Sequence, residues 1–135
     1  MYAADPLKGA IYIADGTADL AIVATVTDGA TRKPVASAAV TAIRAGRGTT
    51  LLASDSTAMP PPVFTDRHGR AVLHAHFRSA GDRDGYSVFV ARSFVRVRAP
   101  GFHSAGLRIS SIGRLDFARG TKNPRVAIPI TLTHE

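Results

Sequence analysis

The sequence predicts an all-β domain, a Greek-key β-sandwich of seven or eight strands. Three observations predict it. Apolar residues recur at alternate positions, most clearly at Leu20, Ile22, Ala24 and Val26, the period of two that a sheet imposes. Turn signals punctuate the chain at short intervals, with 12 Gly and 8 Pro spread along its length. Between those signals there is little room for a helix.

Leu20 to Asp28 reads as the first strand, apolar on both faces because Ala21 and Val23 join the second one. Asp28 and Gly29 open a turn, and Pro34 sets the re-entry into a strand whose Ala38, Val40 and Ala42 point inward. Small alanines on that face call for bulky neighbours such as Phe77 and Phe89. After Gly46 and Gly48 comes a short apolar segment, Thr49 to Ala53. The prolines at 60–62 confine the next stretch to an extended loop or edge.

Thr65-Asp66-Arg67-His68-Gly69 is a turn in which Asp66 accepts backbone amides and Gly69 takes a positive φ. The strand Ala71 to Phe77 follows, with Leu73, Ala75 and Phe77 inward and Val72, His74 and His76 outward. Tyr86 to Ala99 forms the longest strand-like run, bent or folded into a hairpin at Arg92 and Ser93. Leu107, Ile109 and Ile112 indicate another strand, and Val126 to Thr133 the last, with Pro129 demanding an edge position or a bulge.

At 135 residues the chain supports one domain with a substantial core. We divide it into an N-terminal arm or extra strand at 1–19 and a sandwich at 20–135. No apolar window reaches the length of a membrane-spanning helix, and the first residues lack the basic and apolar regions of a signal peptide. A periplasmic or extracellular location is expected, with the chain either a fragment or the mature form of a longer protein. The absence of cysteine removes disulfides, thiolate metal sites and cysteine nucleophiles. A net charge of +7 would attract nucleic acid, anionic lipid or acidic polysaccharide, or else reflects only a composition rich in Arg and Ala.

Several segments carry a family resemblance. Val26-Thr27-Asp28, the turn with Lys33-Pro34, Val35 to Val40, Thr65 to Ala71, and Val95 to Phe102 resemble the carboxypeptidase regulatory-like domains of the transthyretin-like, or prealbumin-like, β-sandwiches, with the related immunoglobulin-like architecture. Ser37 departs from the pattern, standing where that family often has glycine. The resemblance implies a scaffold or interaction module, not a particular reaction. Hydroxyisourate hydrolases of the group end in Tyr-Arg-Gly-Ser, whereas this sequence ends Ile-Thr-Leu-Thr-His-Glu. Isopeptide-forming relatives need a buried lysine beside an acid, but Lys8, Lys33 and Lys122 all sit in turn-like surroundings. Starch-binding relatives present aromatic platforms, and this chain has no Trp.

Two constellations stand out. His74 and His76 share one strand face and are metal-ligand candidates for Zn or Cu, with His68 or His103 as a third donor; the competing reading is a solvated face. Arg96, Arg98 and Arg108 alternate with apolar residues and form an arginine stripe suited to phosphate or carboxylate, or else an ordinary solvated face. No catalytic residue is assigned: no nucleophile elbow accompanies Asp66, His68, His103 or Ser104, and Gly46 to Gly48 lacks the ending of a phosphate loop. No cofactor is expected. The sequence therefore favours a non-enzymatic structural or protein-interaction module, self-associating through sheet edges or the N-terminal arm, with an outward Val23, Val72 and Phe94 awaiting a partner. The alternative is a binding module for an acidic polysaccharide or nucleic acid, and after it a small hydrolase.

Overall fold

The computed structural model describes residues 14–45 and 56–135. The segment expected at 49–53, the glycines at 46 and 48 and the N-terminal residues before 14 lie outside the described residues. The described chain is all-β: β1 (Ala14–Asp28), β2 (Ala39–Ala45), β3 (Ser56–Ala58), β4 (Val63–Phe64), β5 (Arg70–Gly81), β6 (Gly85–Phe89), β7 (Ser93–Arg98), β8 (Ala105–Arg108), β9 (Arg114–Ala118) and β10 (Arg125–Leu132). These ten strands among the described residues exceed the seven or eight expected; β3, β4 and β9 are the short additions.

Two sheets form. The first runs β10-β1-β5-β6-β9, and the second runs β3-β2-β7-β8 with β4 also paired to β2. β1 and β10 pair in parallel, while every other strand pairing among the described residues is antiparallel. The sheets pack face to face as alternation predicts: Leu20, Ile22, Ala24 and Val26 of β1 and Ala71, Leu73, Ala75 and Phe77 of β5 meet Val40 and Ala42 of β2 and Val95 and Val97 of β7 in one core. Burial of each large member contributes about 1.5–3 kcal/mol. Phe77 fills space beside the alanines as expected. Phe89 does not: Val88 and Val90 take the inward positions, leaving Phe89 on the other side with the Arg78 guanidinium 5.6 Å from its ring centroid.

The backbone moves one boundary and decides between two alternatives at another. β1 continues upstream of Leu20, with Asp19 opposite His76 and Ala14 opposite Gly81, so a division between residues 19 and 20 falls inside a strand. The ladder persists there although the apolar alternation has stopped, because pairing needs only backbone groups. Of the two alternatives for Tyr86 to Ala99, the bend at Arg92 and Ser93 holds and the hairpin does not. Val88 and Val90 approach the core from the first sheet and Val95 and Val97 from the second, so the chain crosses between sheets at Arg92, whose φ is +58°. β10 is an edge strand, and Pro129 sits opposite Thr25 within it, as its missing donor requires.

The turns follow the side-chain chemistry. Asp28 Oδ1 accepts the N–H groups of Ala30 (2.8 Å) and Thr31 (3.4 Å). Asp66 Oδ1 does the same for His68 (2.8 Å) and Arg70 (3.0 Å), and Gly69 has φ +74°. No helix among the described residues is long and apolar enough to cross a membrane.

Candidate functional site

Because Val95 and Val97 of β7 are buried against the core, Arg96 and Arg98 project from the opposite, outer face of the second sheet. Arg108 joins them, since β8 pairs with β7 so that Arg108 opposes Phe94 and Gly106 opposes Arg96. Arg96 and Arg98 are one side-chain repeat apart, about 7 Å, and Arg108 lies diagonally from Arg96 at about 7–8 Å. The predicted stripe is thus one contiguous face.

The register fixes its neighbours. One row reads Phe64, Ala39, Arg98; the next Thr41, Arg96, Gly106; the next Ile43, Phe94, Arg108. Phe64 faces outward because its neighbour Val63 packs inward beside Val40, and it is 66% exposed. Phe94, by contrast, is only 8% exposed, clustered with Ile43 and Ala45. The Arg108 guanidinium lies 5.9 Å from its ring centroid, within cation–π range, which orients that cation over the face. Phe94 is therefore partnered within the chain, and the expectation that it awaits an external partner is corrected. Among the described residues the face holds no carboxylate, and no ion pair neutralises Arg96, Arg98 or Arg108. Periodicity alone sets the three arginines on one face but does not reach Phe64, which is far from them along the chain.

The outer face of the first sheet differs. Val23 opposes Val72 directly and Ala127 flanks Val23 on β10, so an apolar strip crosses three strands. Towards one end Asp19 meets the two candidate histidines: His74 Nδ1 lies 3.8 Å from Asp19 Oδ2, and His76 Nδ1 lies 4.0 Å from Asp19 Oδ1. The expected third donors are elsewhere, His68 in the turn before β5 and His103 in the loop between β7 and β8. The two histidines flank opposite oxygens, and among the described residues no three ligating side chains converge on one point.

Two hollows border the first sheet. A groove of about 540 Å³ is lined in part by Asp19, His74, Tyr86 and Lys122. Burial raises the Tyr86 phenol above its ordinary value, and its hydroxyl donates to the Thr121 carbonyl at 2.7 Å. A second, more open hollow of about 460 Å³ carries Asp82, Asp84 and Asp116. The Asp66 carboxylate is held below its usual range, mainly by the Arg70 N–H with help from the His68 N–H, against a smaller opposing effect of burial. That carboxylate is occupied in shaping a turn.

The sequence matches no protein-family profile, and it matches no curated protein. Its fold is similar to solved structures. A variant of the catechol 1,2-dioxygenase of Acinetobacter radioresistens matches with a TM-score of 0.50 and 15% identity, over 88% of this chain and 53% of that one. The catechol 1,2-dioxygenase of Pseudomonas arvilla C-1 gives a TM-score of 0.49 and 15% identity, over 90% and 54%. The chain spans about half the length of these enzymes, and at such identity the likeness to the Acinetobacter structure is one of fold alone.

Proposed function

We propose that this chain is a binding module, not a catalyst, built on a transthyretin-like sandwich, and that it holds a polyanion on the outer face of its second sheet. The supporting observation is the gathering of Arg96, Arg98 and Arg108 on one face without a carboxylate among its described residues. Guanidinium groups offer planar forks of donors to phosphate, sulfate or carboxylate, and unneutralised neighbours reinforce one another's field. Retention on immobilised heparin in a salt gradient tests this reading. The variant with Arg96, Arg98 and Arg108 changed to Ala elutes at markedly lower salt than the parent. A control with Arg70, Lys122 and Arg125 changed to Ala, of equal net charge, stays close to the parent. Equal elution of the two variants would reduce the attraction to net charge and sink the reading.

The apolar strip at Val23, Val72 and Ala127 favours a second reading, a protein-interaction or self-associating role for the first sheet. Val72, 37% exposed, is its most accessible large side chain. Sedimentation of the parent and of Val72→Lys decides it: an oligomer that the lysine dissociates supports the role, and a monomer in both excludes self-association.

A further inference from the structure

We infer that the polyanion held on the second sheet is a single-stranded nucleic acid, an inference that rests on the polyanion reading above. The added observation is Phe64. A phenyl ring 66% exposed on an outer sheet face gains little from burial there, and its partner on β2 is only Ala39, which among the described residues leaves that side of the ring open. Arg98 stands in the same row, two strands away and so about 10 Å from Phe64 between backbones. An aromatic ring beside a line of cations is the arrangement that binds an unpaired strand: bases stack on the ring while the cations follow the phosphates.

The alternatives fit less well. A duplex keeps its bases stacked inside, and its major groove is read by an inserted helix or two-stranded ribbon, whereas this surface is the broad face of a sheet. A sulfated polysaccharide uses the arginines but presents no continuous π-face to the phenyl ring. A single strand uses both. Arg98, Arg96 and Arg108 succeed one another at steps of about 7–8 Å, a spacing that lets an extended backbone meet each in turn. Thr41, half-buried between the two rows of arginines and aromatics, adds a hydroxyl at the centre.

The experiment measures anisotropy of a labelled 12-nucleotide oligothymidylate with the full chain, against a duplex of the same length and against heparin as competitor. The oligonucleotide binds at least ten-fold tighter than the duplex, and log K falls with log salt with a slope of about −2, as expected for three phosphate contacts on a single strand. Phe64→Ala weakens oligonucleotide binding by roughly 5- to 100-fold, the equivalent of one lost stack, while heparin retention is unchanged. Phe64→Tyr restores it. Because Phe64 is mostly exposed, each variant keeps the parent's melting temperature within a few degrees. If Phe64→Ala binds the oligonucleotide as the parent does, or the duplex binds as tightly, the nucleic-acid inference is overturned while the polyanion reading stands. If neither oligonucleotide nor heparin binds, both fall.

Discussion

His134 Nε2 lies 2.9 Å from Asp28 Oδ2, tying the last residues of the chain to the end of its first strand. The imidazole also packs against Phe102, with ring centroids 4.5 Å apart, so three separate segments meet at one imidazole. Burial raises the pKa of Asp28, but hydrogen bonds from the Ala30 amide, from His134 and from the Thr31 amide outweigh it, and the net shift is below the ordinary value of 3.8. Asp66 is shifted in the same direction. A carboxylate with a depressed folded-state pKa contributes stability that is fully present above its unfolded value of about 3.9 and is lost as the pH falls through the folded value. The melting temperature of the parent should therefore drop as the pH falls below about 4. Asp28→Asn with Asp66→Asn should show a shallower drop; parallel profiles would mean that these carboxylates do not set the acid limit.

Thr65 performs a task that its side chain alone does not announce. Only 5% exposed, it accepts the Ala38 N–H at 2.9 Å and donates to the Val35 carbonyl at 2.7 Å, while its backbone exchanges bonds with Ser37 and Ala38. Thr65→Val keeps the shape but leaves the Ala38 donor and the Val35 acceptor without their partner. We expect a loss of about 1–3 kcal/mol. Thr65→Ser should recover most of it, and urea midpoints would show whether the hydroxyl or the methyl matters.

Gly69 and Gly101 both have positive φ, +74° and +84°, yet they should not respond alike. A Cβ at Gly69 would overlap the Val26 carbonyl oxygen, whereas a Cβ at Gly101 would meet nothing within 4 Å. Gly101→Ala should cost only the left-handed backbone penalty, about 1–2 kcal/mol. Gly69→Ala must also push the turn away from β1, breaking the 2.7 Å bond from Val26 N–H to the Gly69 carbonyl. Thermal melts should rank it clearly the less stable; equal losses would show that the close approach is relieved freely.

What the sequence discloses here is whatever repeats locally. Leu20 to Val26 and Ala71 to Phe77 show their buried faces in an alternation that any single strand displays, and Asp28 and Asp66 shape turns within four residues of themselves. Long-range relations are not written that way. The alternation Arg114, Leu115, Asp116, Phe117 is too short to stand out as a strand between its turns, and pairing with β6 makes it β9. The Val88 and Val95 runs look continuous, since a single chain segment cannot show that its halves belong to different sheets. For the candidate face, periodicity set Arg96, Arg98 and Arg108 on one side; only the pairing of β4 with β2 brought Phe64 to them.

Ser37 joins a sequence departure to a conformational cause. Its φ is +59°, a left-handed conformation that costs a residue with a Cβ about 1–2 kcal/mol relative to glycine. The surrounding bonds impose it: Ser37 N–H donates to the Thr65 carbonyl at 2.9 Å, and the next residue, Ala38, is held by the Thr65 hydroxyl. The exposed Ser37 side chain forfeits little when removed. Ser37→Gly should therefore relieve the strain and return part of the gain, about 0.5–1 kcal/mol, to the greater freedom of the unfolded glycine. The expected net is a stabilisation of about 0.5–1 kcal/mol, read as a higher urea midpoint with an unchanged slope. Ser37→Val, β-branched at the same φ, should move the midpoint the other way. In the Thr65→Val background, where the clamp on this turn is loosened, the benefit of glycine should shrink, and the double-mutant cycle would register that as coupling between the two positions. A Ser37→Gly variant less stable than the parent would show that the serine is held there by something other than the turn.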